Sequence, residues 1–135
     1  MAYFRDAGEL YHYVGGAFRA AAEHPTIGPD LARAGFVLQL FYSDPEASLT
    51  VRLEDPIVVV DGGDALDADV VVRMPADVAD RYWRGEYNLA VGLSRGKVKA
   101  RGPVDRLLDL IPMTKPLFPM YRTMVALKDA PAGVQ

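Results

Sequence analysis

The stretch DADVVVRMPADVADRYWRGEYNLAVGLSRGKVKARGPVDRLLDLI, residues 67–111, changes its hydrophobic period repeatedly, and those changes decide the fold. Val70, Val72 and Met74 alternate with polar or outward positions and predict a strand. Residues 76–84 and 89–95 then read as two short helices, stopped by Gly85 and Gly96, where glycine suits a left-handed C-terminal turn. Asn88 is placed to cap the second helix. Lys97-Val98-Lys99-Ala100-Arg101 returns to alternation as a strand with Val98 and Ala100 inward. Gly102-Pro103 opens another helix, with Pro103 favoured at its first position. Val104, Leu107, Leu108 and Ile111 form the apolar stripe of that helix.

Inside this stretch, VGLSRGKVKARG (residues 91–102) imitates two enzyme signatures. Gly92 to Lys97 approaches a phosphate-binding loop, but the spacing is one residue short and Val98 replaces the hydroxyl that would hold magnesium. A helix enters and a strand leaves, the reverse of the order that loop requires. Gly92-Leu93-Ser94-Arg95-Gly96 fits the nucleophile elbow of serine hydrolases, which needs a strand-to-helix turn and a later histidine. Ser94 instead ends a helix, and His12 and His24 both precede it. A hydroxyl without a base is a poor nucleophile near neutral pH. Hydrolysis at Ser94 is the remote alternative.

Working toward the N-terminus, Phe36, Leu38, Leu40 and Tyr42 share one strand face, and Leu49, Val51 and Leu53 share one face of the next. The turn Ser43-Asp44-Pro45-Glu46 joins them as an antiparallel hairpin. Ile57 to Val60 supplies another short strand. Residues 7–23 place Leu10, Val14, Ala17, Phe18 and Ala21 on one helical face, with Asp6 as N-cap and Pro25 beyond the end. Gly15-Gly16 weakens that helix by roughly 1 kcal/mol per glycine relative to alanine. Toward the C-terminus, Pro112, Pro116 and Pro119 interrupt the chain before a last helix over 118–128. Strands followed by helices predict an α+β domain, with one apolar and one polar sheet face.

Length and composition narrow the function. A chain of 135 residues is one domain, large enough for a core without staples. The formal charge of −3 lacks the positive field that nucleic acid requires. With no cysteine, thiolate chemistry and disulfides are excluded. The histidines are not spaced as metal ligands, and DGGDALDAD (residues 61–69) departs from a calcium loop, so no metal and no cofactor are expected. Lys97, Lys99 and Arg101 form a basic stripe that reads first as a solvated face, and otherwise as a transient contact with anionic lipid headgroups. The N-terminus carries Arg5, Asp6 and Glu9 early and is no signal peptide, and no apolar run is long enough to span a bilayer; the expected location is the cytoplasm.

Residues 67–111 resemble the sterol carrier protein type two family, the sterol-binding domain. The resemblance rests on an Asp-Ala-Asp strand start, a short helix, and a Gly-Glu-x-Asn step at Gly85, Glu86 and Asn88. It continues in a second short helix, then Gly96-Lys97-Val98-Lys99 and Gly102 before the next helix. The matched order of elements runs from about residue 31 to 124 within a single domain over 1–135, with 129–135 a loose tail. Two departures stand out: Leu89 occupies a position where many relatives carry proline, and the tail PMTKPLFPMYRTM is longer and bulkier. The chain closes without a peroxisomal address.

The resemblance implies a five-stranded, mostly antiparallel sheet with helices on one face and an apolar tunnel between the layers. It implies non-covalent binding of a fatty acid, acyl-CoA or sterol-like lipid and no catalytic residue. Phe36, Leu38, Val72, Met74, Trp83, Leu89, Leu93, Met113, Phe118, Met120 and Met124 are the expected tunnel liners, under a movable C-terminal cover. Methionine suits such a site because its flexible thioether fills irregular spaces. The alternative is a dimerisation or accessory subunit of an enzyme, with the same fold and a filled tunnel.

Overall fold

Order along the chain follows the change from helical to alternating period that the sequence predicts, as seen in a computed structural model that describes residues 2–130. Of the expected tail at 129–135, residues 131–135 lie outside the described residues, while Asp129 is the last residue of a helix. The N-terminal helix is interrupted: α1 (Ala7–Leu10) runs through a π-helical turn at Tyr11–Gly15 into α2 (Gly16–Glu23). Asp6 caps it as expected, its side chain accepting from the Glu9 N–H. The glycine pair has a packing use. A Cβ on Gly16 would stand 3.3 Å from the terminal methyl of Met124. A helix not foreseen from the sequence, α3 (Ile27–Ala32), follows.

The sheet comprises β1 (Phe36–Ser43), β2 (Ala47–Leu53), β3 (Val58–Asp61), β4 (Val70–Pro75) and β5 (Lys99–Arg101). Its order is β3-β2-β1-β4-β5. The hairpin pairs Phe36 with Leu53 and Tyr42 with Ala47. β1 and β4 are parallel and the other neighbours antiparallel, so the sheet is mixed but mostly antiparallel. The parallel pair is pinned at its start by Asp69. Its carboxylate accepts from the Val37 N–H at 2.9 Å, and its own N–H donates to the Val37 carbonyl.

The remaining elements are α4 (Ala76–Trp83), α5 (Leu89–Ser94), α6 (Val104–Asp109), α7 (Ile111–Thr114) and α8 (Phe118–Asp129), with a 3-10 turn at Lys115–Leu117. The prolines of the tail do not unravel it, because Pro112, Pro116 and Pro119 each fall in the first turn of a helical segment, where no N–H is needed. Asn88 caps α5 through the Val91 N–H.

The G-x-S-x-G look-alike resolves as a helix stop. The Gly96 N–H donates to Leu93 and the Lys97 N–H to Gly92, the paired bonds of a left-handed turn, with Gly96 at φ +74°. Gly102 has a stricter role. At φ +100°, a Cβ there would lie 2.1 Å from the Asp69 carbonyl oxygen, so β5 can close onto the start of β4 only without a side chain.

The core lies between the helices and one sheet face, with Leu38, Leu40, Leu49, Val51, Val70 and Val72 at its centre. The opposite face is less open than the strand pattern suggests. The loop after β3 folds over it and buries Gln39 completely. The Gln39 amide accepts from the Thr50 hydroxyl and the Ala65 N–H and donates to the Gly63 carbonyl, which satisfies a polar group that would otherwise be costly to bury.

Candidate functional site

A cavity of about 60 Å³ lies at the seam between sheet and helices. Its floor is Leu38, Leu40 and Tyr42 from β1 with Met74 from β4. The three β1 residues share a face because strand side chains alternate. Ala79, Tyr82 and Trp83 of α4, spaced as i, i+3, i+4, form one wall. Leu107, Leu110, Ile111 and Thr114 form another, a single helical stripe that continues from α6 through α7. Phe18 of α2 and Leu89 of α5 complete the lining.

No lining residue is charged. Tyr82 and Thr114 face each other across the two helical walls, their hydroxyls 2.6 Å apart. The Thr114 hydroxyl also donates to the Ile111 carbonyl at 2.9 Å. With its single proton spent there, Thr114 accepts from Tyr82. Burial raises the pKa of the Tyr82 phenol. Tyr42 is likewise pushed up by burial, with no charged or hydrogen-bonding side chain acting on it. Trp83 anchors the wall through edge-on contacts with Phe18, Tyr82 and Phe118 at ring separations of 5.2, 5.6 and 6.1 Å.

Tyr82, Leu89 and Ile111 also line a groove of about 400 Å³ on the outer side of the same wall, together with Tyr87, Asn88, Lys115 and Phe118. These three shared side chains form a partition between the inner cavity and the outer groove.

Of the expected liners, Leu38, Met74, Trp83 and Leu89 border the cavity. Phe118 lies in the outer groove. Val72 is wholly buried in the core, paired in register with Leu40 and Ala100. Phe36 and Met113 border a separate groove whose walls include Asp30, Arg33, Arg106 and Asp109, and the Arg106 guanidinium covers the Phe36 ring at 4.7 Å. Leu93 and Met120 are half-buried against the core. Met124 is half-buried beside Gly16.

Sequence reasoning missed Phe18, Leu40, Tyr42, Ala79, Tyr82 and the stripe at 107, 110, 111 and 114 as cavity liners. The stripe was legible in principle at i, i+3, i+4, i+7, but Pro112 suggested a break where the helix continues.

Of the expected C-terminal cover, Thr114 lines the cavity, whereas the last helix, α8, contributes no lining residue. Tyr121 and Val125 of α8 are fully buried, and the Tyr121 hydroxyl donates to Asp80 of α4 at 2.8 Å. Arg84 bonds both Asp80 and Asp129, Tyr3 donates to Asp129, and Lys128 pairs with Glu9 at 2.9 Å. The helix is thus fastened to both α4 and the N-terminal segment.

The other sequence motifs have structural uses. Within the acidic loop, Asp61 pairs with Arg19 and Asp67 with Arg52. Among the described residues no group of three or more acidic or histidine side chains is arranged to hold a metal ion. The His24 ring nitrogen accepts from the Thr26 and Ile27 N–H groups, and His12 packs against Tyr13. No helix among the described residues is long and apolar enough to cross a membrane.

No family model and no curated protein sequence matches the chain. Solved structures do match. The sterol carrier protein domain 2 of Helicoverpa armigera is similar at a TM-score of 0.65 and 16% identity, over 79% of this chain and 88% of that one. Sterol carrier protein 2 from Yarrowia lipolytica, in its apo form, is similar at 0.62 and 18%, over 74% and 85%. Palmitated sterol carrier protein 2 like 2 from Aedes aegypti is similar at 0.61 and 17%, over 78% and 93%. The chain therefore has the sterol carrier protein 2 fold that the sequence resemblance implied.

Proposed function

We propose that this protein is a cytoplasmic carrier that binds an apolar small molecule, without chemistry of its own, at the seam between β1, β4 and the helical layer. One observation carries the reading: a space lined by thirteen residues, none of them charged, at the layer interface of a fold shared with sterol carrier proteins. One of the similar structures is a palmitated form, which supports an acyl chain or a comparable body as the guest.

Energetics set the terms. Burying about 14 methylenes contributes roughly 11 kcal/mol at about 0.8 kcal/mol each. Association costs of about 4–15 kcal/mol offset much of this, so binding needs a site that opens cheaply. The inner cavity of about 60 Å³ falls well short of the 300–1,000 Å³ typical of small-molecule sites. Displacing the partition at Tyr82, Leu89 and Ile111 would add the 400 Å³ groove outside it. Uptake would proceed by that movement, with the α6–α7 segment shifting against α4.

The small size of the cavity favours a second reading, an accessory or dimerising subunit whose interior stays filled. Mass spectrometry of gently purified full-length protein, with titration of acyl and sterol probes followed by Trp83 emission, separates the two. Co-purified lipid or saturable probe binding supports the carrier. A ligand-free protein that ignores every probe leaves the filled subunit. Ala79→Leu, which fills the cavity, should abolish probe binding in a carrier at a stability cost of about 1–3 kcal/mol.

A further inference from the structure

The sheet carries its charge unevenly, and one edge has no part in ligand binding. Residues 87–104 contain four cations, Arg95, Lys97, Lys99 and Arg101, and no acidic residue. The antiparallel pairing of β4 with β5 sets Arg73 directly opposite Lys99 and Val71 opposite Arg101. Because strand side chains alternate and Val72 is buried in the core, Arg73, Lys99 and Arg101 share the face away from the helices. All five cations are exposed. Among the described residues none of them has a carboxylate within ion-pair distance, whereas Arg5, Arg19, Arg33, Arg52, Arg84 and Lys128 all do.

Like charges directly opposite each other across a ladder are destabilising. A local arrangement that costs stability without a compensating contact marks a functional surface more often than a structural one. The excess is also confined to this edge: the whole chain sums to −3 with these five cations included, so the remainder carries −8. With screening over about 8 Å at physiological salt, a polyanion is attracted here and repelled elsewhere. The face has charge but no anchors. None of the grooves described above is lined by any of the five cations. Phe41, beside Arg73 in register, is half-buried and covered by the Arg73 guanidinium at 4.3 Å, which leaves this row without a free ring for base stacking. A protein partner would use buried aromatic or apolar anchors. An anionic bilayer needs neither, because it is read by charge density and each nearby lysine or arginine adds to the attraction.

We propose that the β4–β5 edge is a docking face for an anionic lipid bilayer, with Arg73, Lys99 and Arg101 on the sheet and Arg95 and Lys97 on the preceding turn supplying the charge. The inference goes beyond the carrier reading and stands apart from it: docking needs no guest in the interior and holds equally for a filled subunit.

The test is flotation of the full chain with phosphatidylcholine vesicles, pure or containing about 30% phosphatidylserine, at low salt. The parent should bind only the anionic vesicles and should leave them as salt rises toward about 0.5 M. Lys99→Gln with Arg101→Gln should weaken binding by about fivefold or more, the worth of one cation at an anionic surface. Arg5→Gln with Arg122→Gln, an equal change of net charge at exposed cations outside this face, should weaken it by under about twofold. Lys99→Arg with Arg101→Lys should preserve binding, because a bilayer reads charge rather than the geometry of the cation. No binding to anionic vesicles, or equal weakening by the two neutralising pairs, overturns the proposal. Loss of binding in the exchanged variant, or tighter binding to a single-stranded oligonucleotide than to the vesicles, overturns it in favour of another macromolecule. Thermal melts separate docking from folding. Removing the Arg73–Lys99 repulsion should leave the midpoint unchanged or raised, and a lowered midpoint would assign the cations to the fold instead.

Discussion

The hydroxyl of Tyr121 donates a 2.8 Å hydrogen bond to the carboxylate of Asp80, and both residues are buried where α8 crosses α4. Arg84 holds the same carboxylate through its Nε, which donates to both oxygens. This junction makes the C-terminal helix part of the frame, and under the carrier reading the α6–α7 segment is the wall that moves. Burial and the adjacent Asp80 carboxylate push the Tyr121 phenol far above its ordinary range, so it stays a donor at every pH the protein meets.

Tyr121→Phe should therefore cost about 1.5–3 kcal/mol, the usual worth of a hydrogen bond to a charged group. Urea denaturation should show a lower midpoint with an unchanged slope. Probe binding by the folded variant should match the parent, because Tyr121 does not line the cavity.

Glu9 links the N-terminal helix to α8. Burial alone would raise its carboxyl, but the Arg5 N–H and the Lys128 ammonium outweigh burial and hold it below the ordinary glutamate range. A lowered folded-state pKa gives stability that is present above the unfolded-state value and lost as pH falls through the folded one. Acidification below the ordinary glutamate range should thus loosen this contact. Glu9→Gln should be less stable at neutral pH and lose part of the acid dependence, as seen in thermal melts across the acid range.

Gly96 and Gly102 both have positive φ but differ in surroundings. Nothing lies within 4 Å of a Cβ built at Gly96, whereas one at Gly102 meets the Asp69 carbonyl at 2.1 Å. Gly96→Ala should cost about 1–2 kcal/mol, the left-handed backbone penalty alone. Gly102→Ala adds a backbone clash and should cost more, detaching β5 from β4. Amide exchange at Val72, paired with Ala100, should rise sharply in the second variant and little in the first.

The Tyr82–Thr114 bond ties Tyr82 of the partition to the facing helical wall. Tyr82→Phe keeps the ring and removes the hydroxyl, so stability should fall by only about 0.5–1.5 kcal/mol. Under the carrier reading, uptake and release of a neutral acyl probe should both quicken in stopped-flow experiments on Trp83 emission. Unchanged rates would place the moving element elsewhere in the wall.

Local features were legible in the amino-acid order. The alternation of Leu38, Leu40 and Tyr42, the cap at Asn88, the stop at Gly96 and the helix opening at Pro103 each depend on neighbours within one or two turns of chain. The resemblance extended that legibility to the five-stranded sheet and the fold. Long-range contacts were needed to establish that β1 and β4 run parallel, that Gln39 lies under a loop, and that α8 is fastened through Asp80. They also determine which apolar residues border space and which fill it. Leu40 and Val72 are equally apolar and pair in register, yet only Leu40 lines the cavity. Hydrophobicity fixes that a side chain leaves water, but whether it meets a void depends on the facing layer, whose contacts join residues far apart along the chain.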